Sequence, residues 1–373
     1  MKNYDVAAYV WPAYTGDEKR TRIFWPDGIG EWQTVKNSSP KDNGYNCGRE
    51  PLWGYVNEAD PSVMEMQIEC AVDHGVNVFI YDWYWYDQRP FLENCLNDGF
   101  LKAKNSDKMK FYLMWANHDA NYLWDKRNSD EINETIWSGA VGKEQFKIIG
   151  KRWIDKYFTR DNYYKIDNKP VVSIYDMNNF VSGLGGIKEA KNAMEWLDDE
   201  AKKAGLLGVH FQFIRWDGKG QNITGVDGNT IETTPFLIKE MCFDSLTHYQ
   251  FVHFVDIDRD YNEIIPDVIK EWKKISSEYD IPYFPHISAG WDNNPRYKGF
   301  REGIVKNNTP ENFKKALIKA KEYADKNNLS LITINSWNEW TETSYLEPDN
   351  VYGYGYLEAI KEVFKNKENK HED

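Results

Sequence analysis

The sequence predicts an α/β chain folded as a (β/α)8 barrel with enlarged βα loops. Apolar runs of about five residues, rich in β-branched and aromatic side chains, recur eight times along the chain, the pattern of strands buried on both faces. Stretches of helical pattern lie between them. No glycine-rich phosphate turn follows the first run, which counts against the alternative, a doubly wound open sheet. No internal repeat, low-complexity block or linker divides the chain. One catalytic domain over residues 1–366 is therefore expected, with a polar tail at 367–373.

In chain order, Val6–Val10 is the first expected strand. A helix over Ser62–His74 follows Pro61 and is stopped by Gly75, proline entering helices at the first turn and glycine closing them. Val76–Asp82, Phe111–Trp115 and Val171–Tyr175 are the next three strands. A helix over Gly186–Ala204 ends at Gly205. His210–Ile214 and Ser245–Tyr249 precede a helix over Glu263–Tyr279. The run Tyr283–Ile287, a helix over Pro310–Asn327 and the run Leu331–Ile334 complete the set.

Of 373 residues, 41% are hydrophobic and 28% charged, ordinary values for a globular protein with a large core. The net charge of −13 repels phosphate backbones and anionic bilayers, which argues against nucleic acid as a partner. No apolar run approaches the roughly 18 residues of a membrane span. The four cysteines show neither CxxC spacing nor the density of a disulfide scaffold. The N-terminus lacks the apolar core of a signal peptide, so a cytoplasmic location is expected unless a leader has been removed. Oligomeric state is left open.

Aromatic content is the unusual quantity: 16 Trp, 24 Tyr and 18 Phe make up 16% of the chain. Many fall at the carboxyl ends of the expected strands, where such a barrel places its chemistry. Trp11 follows the first strand, with Glu31 and Trp32 in the long loop after it. Asp82, Trp83 and Trp85 end the second, and Trp115, Asn117, His118 and Asp119 the third. Tyr175 ends the fourth; Arg215, Trp216 and Asp217 end the fifth; His248 and Tyr249 end the sixth. Trp291 and Asp292 follow the seventh, and Trp337, Asn338, Glu339 and Glu342 the eighth. Aromatic faces beside carboxylates, amides and imidazoles suit a carbohydrate, whose C–H faces stack and whose hydroxyls hydrogen-bond.

Glu339 and Glu342 stand apart because glycosidic cleavage commonly uses two carboxyl groups, one protonated and one ionised. Two glutamates three residues apart after a strand reach one sugar from different sides, and their repulsion raises one pKa. A metal site is not expected. His248 and His286 invite one, but the first strand reads Ala8-Tyr-Val-Trp11 rather than His-x-His. Neither a GxxxxGK[ST] phosphate loop nor a GxSxG nucleophile elbow occurs.

The segment Asn335-Ser-Trp-Asn-Glu-Trp-Thr-Glu-Thr-Ser-Tyr-Leu-Glu-Pro-Asp349, followed by Tyr352-Gly353 and Tyr356-Leu-Glu-Ala359, resembles the C-terminal signature of the WbsX-like, glycoside hydrolase family 99-like proteins. Gly30-Glu31-Trp32, Asp82-Trp-Tyr-Trp85, Trp115-Ala-Asn117, Tyr164-Lys-Ile-Asp-Asn-Lys-Pro170 and Ala289-Gly-Trp-Asp-Asn-Asn-Pro295 fit the same pattern in the same order, over about residues 5–360. The resemblance implies a (β/α)8 barrel acting on an oligo- or polysaccharide without metal or organic cofactor. Its better-understood branch is retaining endo-α-mannosidases with an Asn-Glu-Trp-x-Glu motif. Carried over, Glu339 would assist the substrate's own 2-hydroxyl in attacking C1, and Glu342 would be acid and then base. Two departures, His118-Asp119 in the third motif and Thr343 in place of Gly, leave sugar and linkage open. The alternatives are a glycosyltransferase of polysaccharide assembly, since some relatives carry that label, and a non-catalytic glycan-binding barrel.

Overall fold

A computed structural model describes residues 3–16, 18–122, 124–125, 134–215, 222–224, 230–232 and 235–365. The expected tail at 367–373 and two strand-end residues, Trp216 and Asp217, lie outside them. Eight strands form the barrel: β1 Asp5–Val10, β2 Val78–Tyr86, β3 Lys110–Trp115, β4 Lys169–Ile174, β5 His210–Arg215, β6 Ser245–His248, β7 His286–Ser288 and β8 Leu331–Asn335. All pair in parallel in the order β6-β5-β4-β3-β2-β1-β8-β7. The seam between β6 and β7 is joined by one parallel bridge, Leu246 to Tyr283. There Leu246 N donates to Pro282 O at 2.9 Å and Phe284 N to Leu246 O at 2.8 Å. The circle closes, as the alternation of runs predicts.

The main helices pack outside. They are α1 Pro61–His74, α2 Lys143–Trp153, α3 Ile187–Lys203, α4 Tyr261–Glu278, α5 Pro310–Lys326 and α6 Gly355–Phe364. Their limits follow local chemistry. Asp60 caps α1 through Ser62 N, Pro61 takes the first turn, and Gly75 closes it at φ 97°. Asp260 caps α4 through Asn262 N, and Thr309 caps α5 through Asn312 N.

Two strands depart furthest from expectation, the others by one or two residues at an end. β2 continues four residues past Asp82 because a hairpin carries it on: Tyr84, Trp85 and Tyr86 pair antiparallel with Phe91, Pro90 and Arg89. The turn places Asp87 and Gln88 at φ 52° and 59°, the left-handed pair that a two-residue hairpin requires. β7 starts at His286 rather than Tyr283, which makes only the closing bridge.

The barrel interior is more polar than apolar strands suggest. Gln212 accepts from Tyr112 at 3.1 Å and Ser173 at 2.7 Å, while Thr333 lies 2.8 Å from Thr247 and 3.0 Å from His286. These groups satisfy one another, as burial demands. Among the described residues no helix is long and apolar enough to cross a membrane.

Candidate active site

After β8 the chain makes a tight excursion. Asn338–Glu339 pairs antiparallel with Ser344–Tyr345, and a single 3-10 turn, Trp340–Glu342, joins them. Thr343 reverses the chain at φ 52°. Ser336 fixes the base: its Oγ accepts from Glu339 N at 2.7 Å and donates to Ser344 O at 2.6 Å. Both glutamates thereby line one cavity of about 490 Å³ at the carboxyl ends of the strands.

Arg296 organises the carboxyls. It lies on a turn after β7 held by Asp292, whose Oδ1 accepts from Asn294 N at 3.0 Å and Nδ2 at 2.7 Å. Asp292 also accepts from the Tyr45 hydroxyl, and its own N–H donates to Glu342 O at 2.7 Å. The buried guanidinium donates to Glu342 Oε1 at 2.7 Å, to Thr341 at 2.8 Å, and to Glu339 Oε2 and Glu31 Oε1 at 3.5 Å each. Glu31 further accepts from Trp11 Nε1, from Tyr14 OH at 3.3 Å and from Thr341 Oγ1 at 3.1 Å. On the other side Tyr249 OH bridges Asp82 Oδ2 at 2.8 Å and Glu339 Oε1 at 3.1 Å.

Three buried carboxyls around one cation, with Asp82 linked to Glu339 through Tyr249, cannot all ionise. Burial raises Arg296's tendency to lose its proton, but Glu342, Glu31 and Glu339 override it and hold the guanidinium charged. Burial pushes Glu31 up to about 7 against the pull of Arg296. Glu339 is raised well above its ordinary value by burial and then by Glu342. Glu342 is raised by burial, with Arg296 opposing. Asp82 is raised well above its ordinary value by burial, with Tyr249 opposing. Asp82 Oδ1 and Glu342 Oε2 are buried without a protein partner, and both residues line the cavity.

Of the sequence-predicted residues, Trp11, Asp82, His118, Asp119, Tyr175, Tyr249, Trp291, Glu339 and Glu342 line this cavity. Others stand behind it. Glu31 holds Arg296; Asp292 holds the Arg296 turn; Asn338 exchanges hydrogen bonds with the Trp11 backbone at 2.8 and 2.9 Å. Asn117 exchanges them with Asp176 at 2.8 and 2.7 Å, bracing the third and fourth strand ends.

The remaining predicted residues lie away from the cavity. Strand alternation sends Asp82 and Tyr84 to the cavity and their neighbours Trp83 and Trp85 to the other face. There Trp83 bonds Glu93 at 2.8 Å and Trp85 bonds Gln145 at 3.2 Å. Trp115 packs on Phe146, Trp153 and Phe180, Trp32 bonds Val56 O at 2.7 Å, and Trp337 bonds Gln67 at 3.0 Å. Arg215 bonds the Tyr279 hydroxyl. His248 lies 2.7 Å from Tyr283 OH and stacks on Phe254. Among the described residues no group of three or more His, Cys, Asp or Glu is placed to hold a metal ion.

Sequence reasoning missed Arg296, Tyr84, Trp124 and His253, all in the cavity wall. Tyr84 was accessible from the two-residue period of β2. Arg296 directly follows the Asn293-Asn-Pro295 motif, but the guanidinium's reach back to β8 had no sequence signal.

The architecture is one that enzymes acting on glycans share. The GH99 endo-alpha-mannosidase from Bacteroides thetaiotaomicron, in complex with bis-tris-propane, superposes with a TM-score of 0.60 at 12% identity, covering 97% of each chain. A structure titled glycoside hydrolase-like protein gives 0.57 at 14% identity, covering 98% of this chain and 95% of that one. At these identities the likeness establishes the fold. The chain belongs to the WbsX family: the family model described as Glycosyltransferase WbsX matches residues 6–360. The uncharacterized protein WxcX of Xanthomonas campestris pv. campestris is 23% identical over 351 residues, 91% of this chain and 47% of that protein. The chain thus spans about half the length of the curated relatives it matches.

Proposed function

We propose that this protein is a retaining glycoside hydrolase acting on an oligo- or polysaccharide, in the manner of the endo-α-mannosidases whose fold and motif it resembles. The observation that carries this reading is that Glu339 and Glu342 open into one aromatic-walled cavity and share a single guanidinium. Trp11, Tyr84, Trp124 and Trp291 supply the stacking walls, while Asp82, His118 and Asp119 supply polar groups for sugar hydroxyls. In the reading carried from the family, Glu339 takes the proton of the substrate's 2-hydroxyl as that oxygen attacks C1. Glu342 protonates the departing oxygen, then activates the water that opens the cyclic intermediate.

The reversed assignment, Glu339 as acid and Glu342 as base, draws on a specific observation. In the unliganded site Arg296 donates to Glu342 at 2.7 Å, whereas Glu339 has the more strongly raised pKa. Under the first assignment the proton must pass from Glu339 to Glu342 as the sugar binds. An activated leaving group separates the two, because it restores turnover only to the variant lacking the acid.

A glycosyltransferase using a sugar nucleotide needs cations for the diphosphate. Among the described residues lining the cavity, Arg296 is the Lys or Arg present, and it is committed to three carboxylates. The test is incubation with defined oligosaccharides, manno-configured ones included, without nucleotide sugar, followed by product masses. Shortened glycans support hydrolysis. Transfer that occurs only with an added nucleotide sugar overturns it, and binding without any product leaves a glycan-binding barrel.

A further inference from the structure

Two further carboxyls meet behind the β8 turn, outside the cavity lining. Glu58 precedes α1 and Glu347 follows the turn; they are 0% and 3% exposed. Gln67 of α1 donates its one amide nitrogen to Glu58 Oε1 at 3.1 Å and to Glu347 Oε1 at 2.8 Å, which draws the two carboxyls together. Two buried carboxyls on one amide nitrogen repel each other when both are ionised, so the pair favours keeping a proton. No Lys or Arg pairs with either among the described residues. Cys95, Cys70, Tyr81 and Tyr14 also face the pair, and burial raises the pKa of each, keeping all four neutral.

What the pair grips is the pair of residues on either side of Glu339. Asn338 Nδ2 donates to Glu58 Oε1 at 3.1 Å and Oε2 at 3.0 Å while its other contacts hold the Trp11 backbone. Trp340 Nε1 donates to Glu347 Oε2 at 2.6 Å. The arrangement is closely packed. A Cβ on Gly99 would sit 2.0 Å from the Glu58 carbonyl oxygen, so a glycine lets the Cys95–Gly99 segment close over the pair.

We propose that Glu58 and Glu347 hold one proton between them and act as positioning residues, clamping Asn338 and Trp340 so that Glu339 faces the substrate. The shared proton rests on the burial of the two carboxyls and their common Gln67 donor; the effect on turnover rests on the hydrolase reading. A deprotonated pair would put two adjacent buried carboxylates behind the reacting glutamate with no cation to separate them. Burial pushes Glu58 up to about 7 and raises Glu347 well above its ordinary value. Carboxyls raised in the folded state keep protons that the unfolded chain has released, so their contribution to stability is lost as pH rises from about 4.5 through the folded values.

Glu347→Gln and Glu347→Ala test the proposal by two readouts. Thermal unfolding from about pH 5 to about pH 9 should show a shallower fall of stability with pH in Glu347→Gln than in the wild type, because one proton-holding carboxyl is gone. Glu31, Asp82 and Glu339 remain in both proteins, so the difference isolates the pair. Turnover at neutral pH, on any glycan the wild type shortens, should stay within about threefold in Glu347→Gln, whose amide can donate to Glu58 in place of the proton, and fall about tenfold or more in Glu347→Ala with KM little changed. Superimposable stability profiles for Glu347→Gln and wild type overturn the shared proton. Equal turnover losses in the two variants, or full turnover in Glu347→Ala, overturn the clamp. If the wild type shortens no glycan, the hydrolase reading fails while the stability profiles still judge the proton.

Discussion

Replacing Arg296 with Met removes the cation that contacts three buried carboxyls and keeps most of the side-chain volume. Removing one partner of a buried ion pair costs about 3–5 kcal/mol, because the other charge is left unsolvated. Here the guanidinium is 5% exposed and reaches Glu342 at 2.7 Å and Glu31 and Glu339 at 3.5 Å, so a loss in the upper part of that range is expected near pH 8. The loss shrinks in acid. Without Arg296 the folded-state pKa values of Glu31, Glu339 and Glu342 rise further above the unfolded ones, so the variant takes up protons in place of the missing cation. Near pH 5 the penalty should fall by about half or more, the variant gaining on the wild type as pH drops. Denaturant unfolding of both proteins at the two pH values measures the difference directly. A loss below about 1 kcal/mol at both, or one independent of pH, would refute the picture of a single guanidinium holding three buried carboxyls.

Glu342→Gln should lower turnover by about a hundredfold or more while leaving glycan affinity within a few-fold, read by steady-state kinetics and calorimetry. Tyr249→Phe removes the hydroxyl that bridges Asp82 and Glu339, and should cut turnover about tenfold to hundredfold with a smaller change in KM; unchanged turnover would mean the bridge is idle. Trp291→Ala, at the cavity wall, should raise KM about tenfold and leave the catalytic rate nearly intact. Substrates lacking the 2-hydroxyl should react at least a hundredfold more slowly if that oxygen is the internal nucleophile.

Much of the barrel was legible because parallel strands buried on both faces write themselves as short apolar runs, and helix caps such as Asp60 with Pro61 and Gly75 are local signals. The strand-end rule then gathers Asp82, Tyr249, Glu339 and Glu342 without any view of the cavity. It fails for Trp83, Trp85 and Trp115, because lying at a strand end says nothing about which face a side chain takes; only the register of β2 and β3 decides that. It also cannot find Arg296 or the Glu58–Glu347 pair. Those groups meet across 43 to 289 residues of sequence, and an isolated Arg or Glu in a loop looks like any solvated charge. The polar lining of the barrel was hidden for the same reason: Gln212 and Thr333 read as strand residues, and their mutual satisfaction exists only in three dimensions.

The central claim is that Glu339 and Glu342 cleave a glycosidic bond from one cavity with the anomeric configuration preserved. Proton NMR of the first sugar released from a glycan of known anomer, before mutarotation, tests it most directly. The account predicts a product of the same anomer as the substrate, formed without nucleotide sugar and absent with Glu339→Gln. A first product of opposite anomer, or undiminished release by that variant, would contradict it.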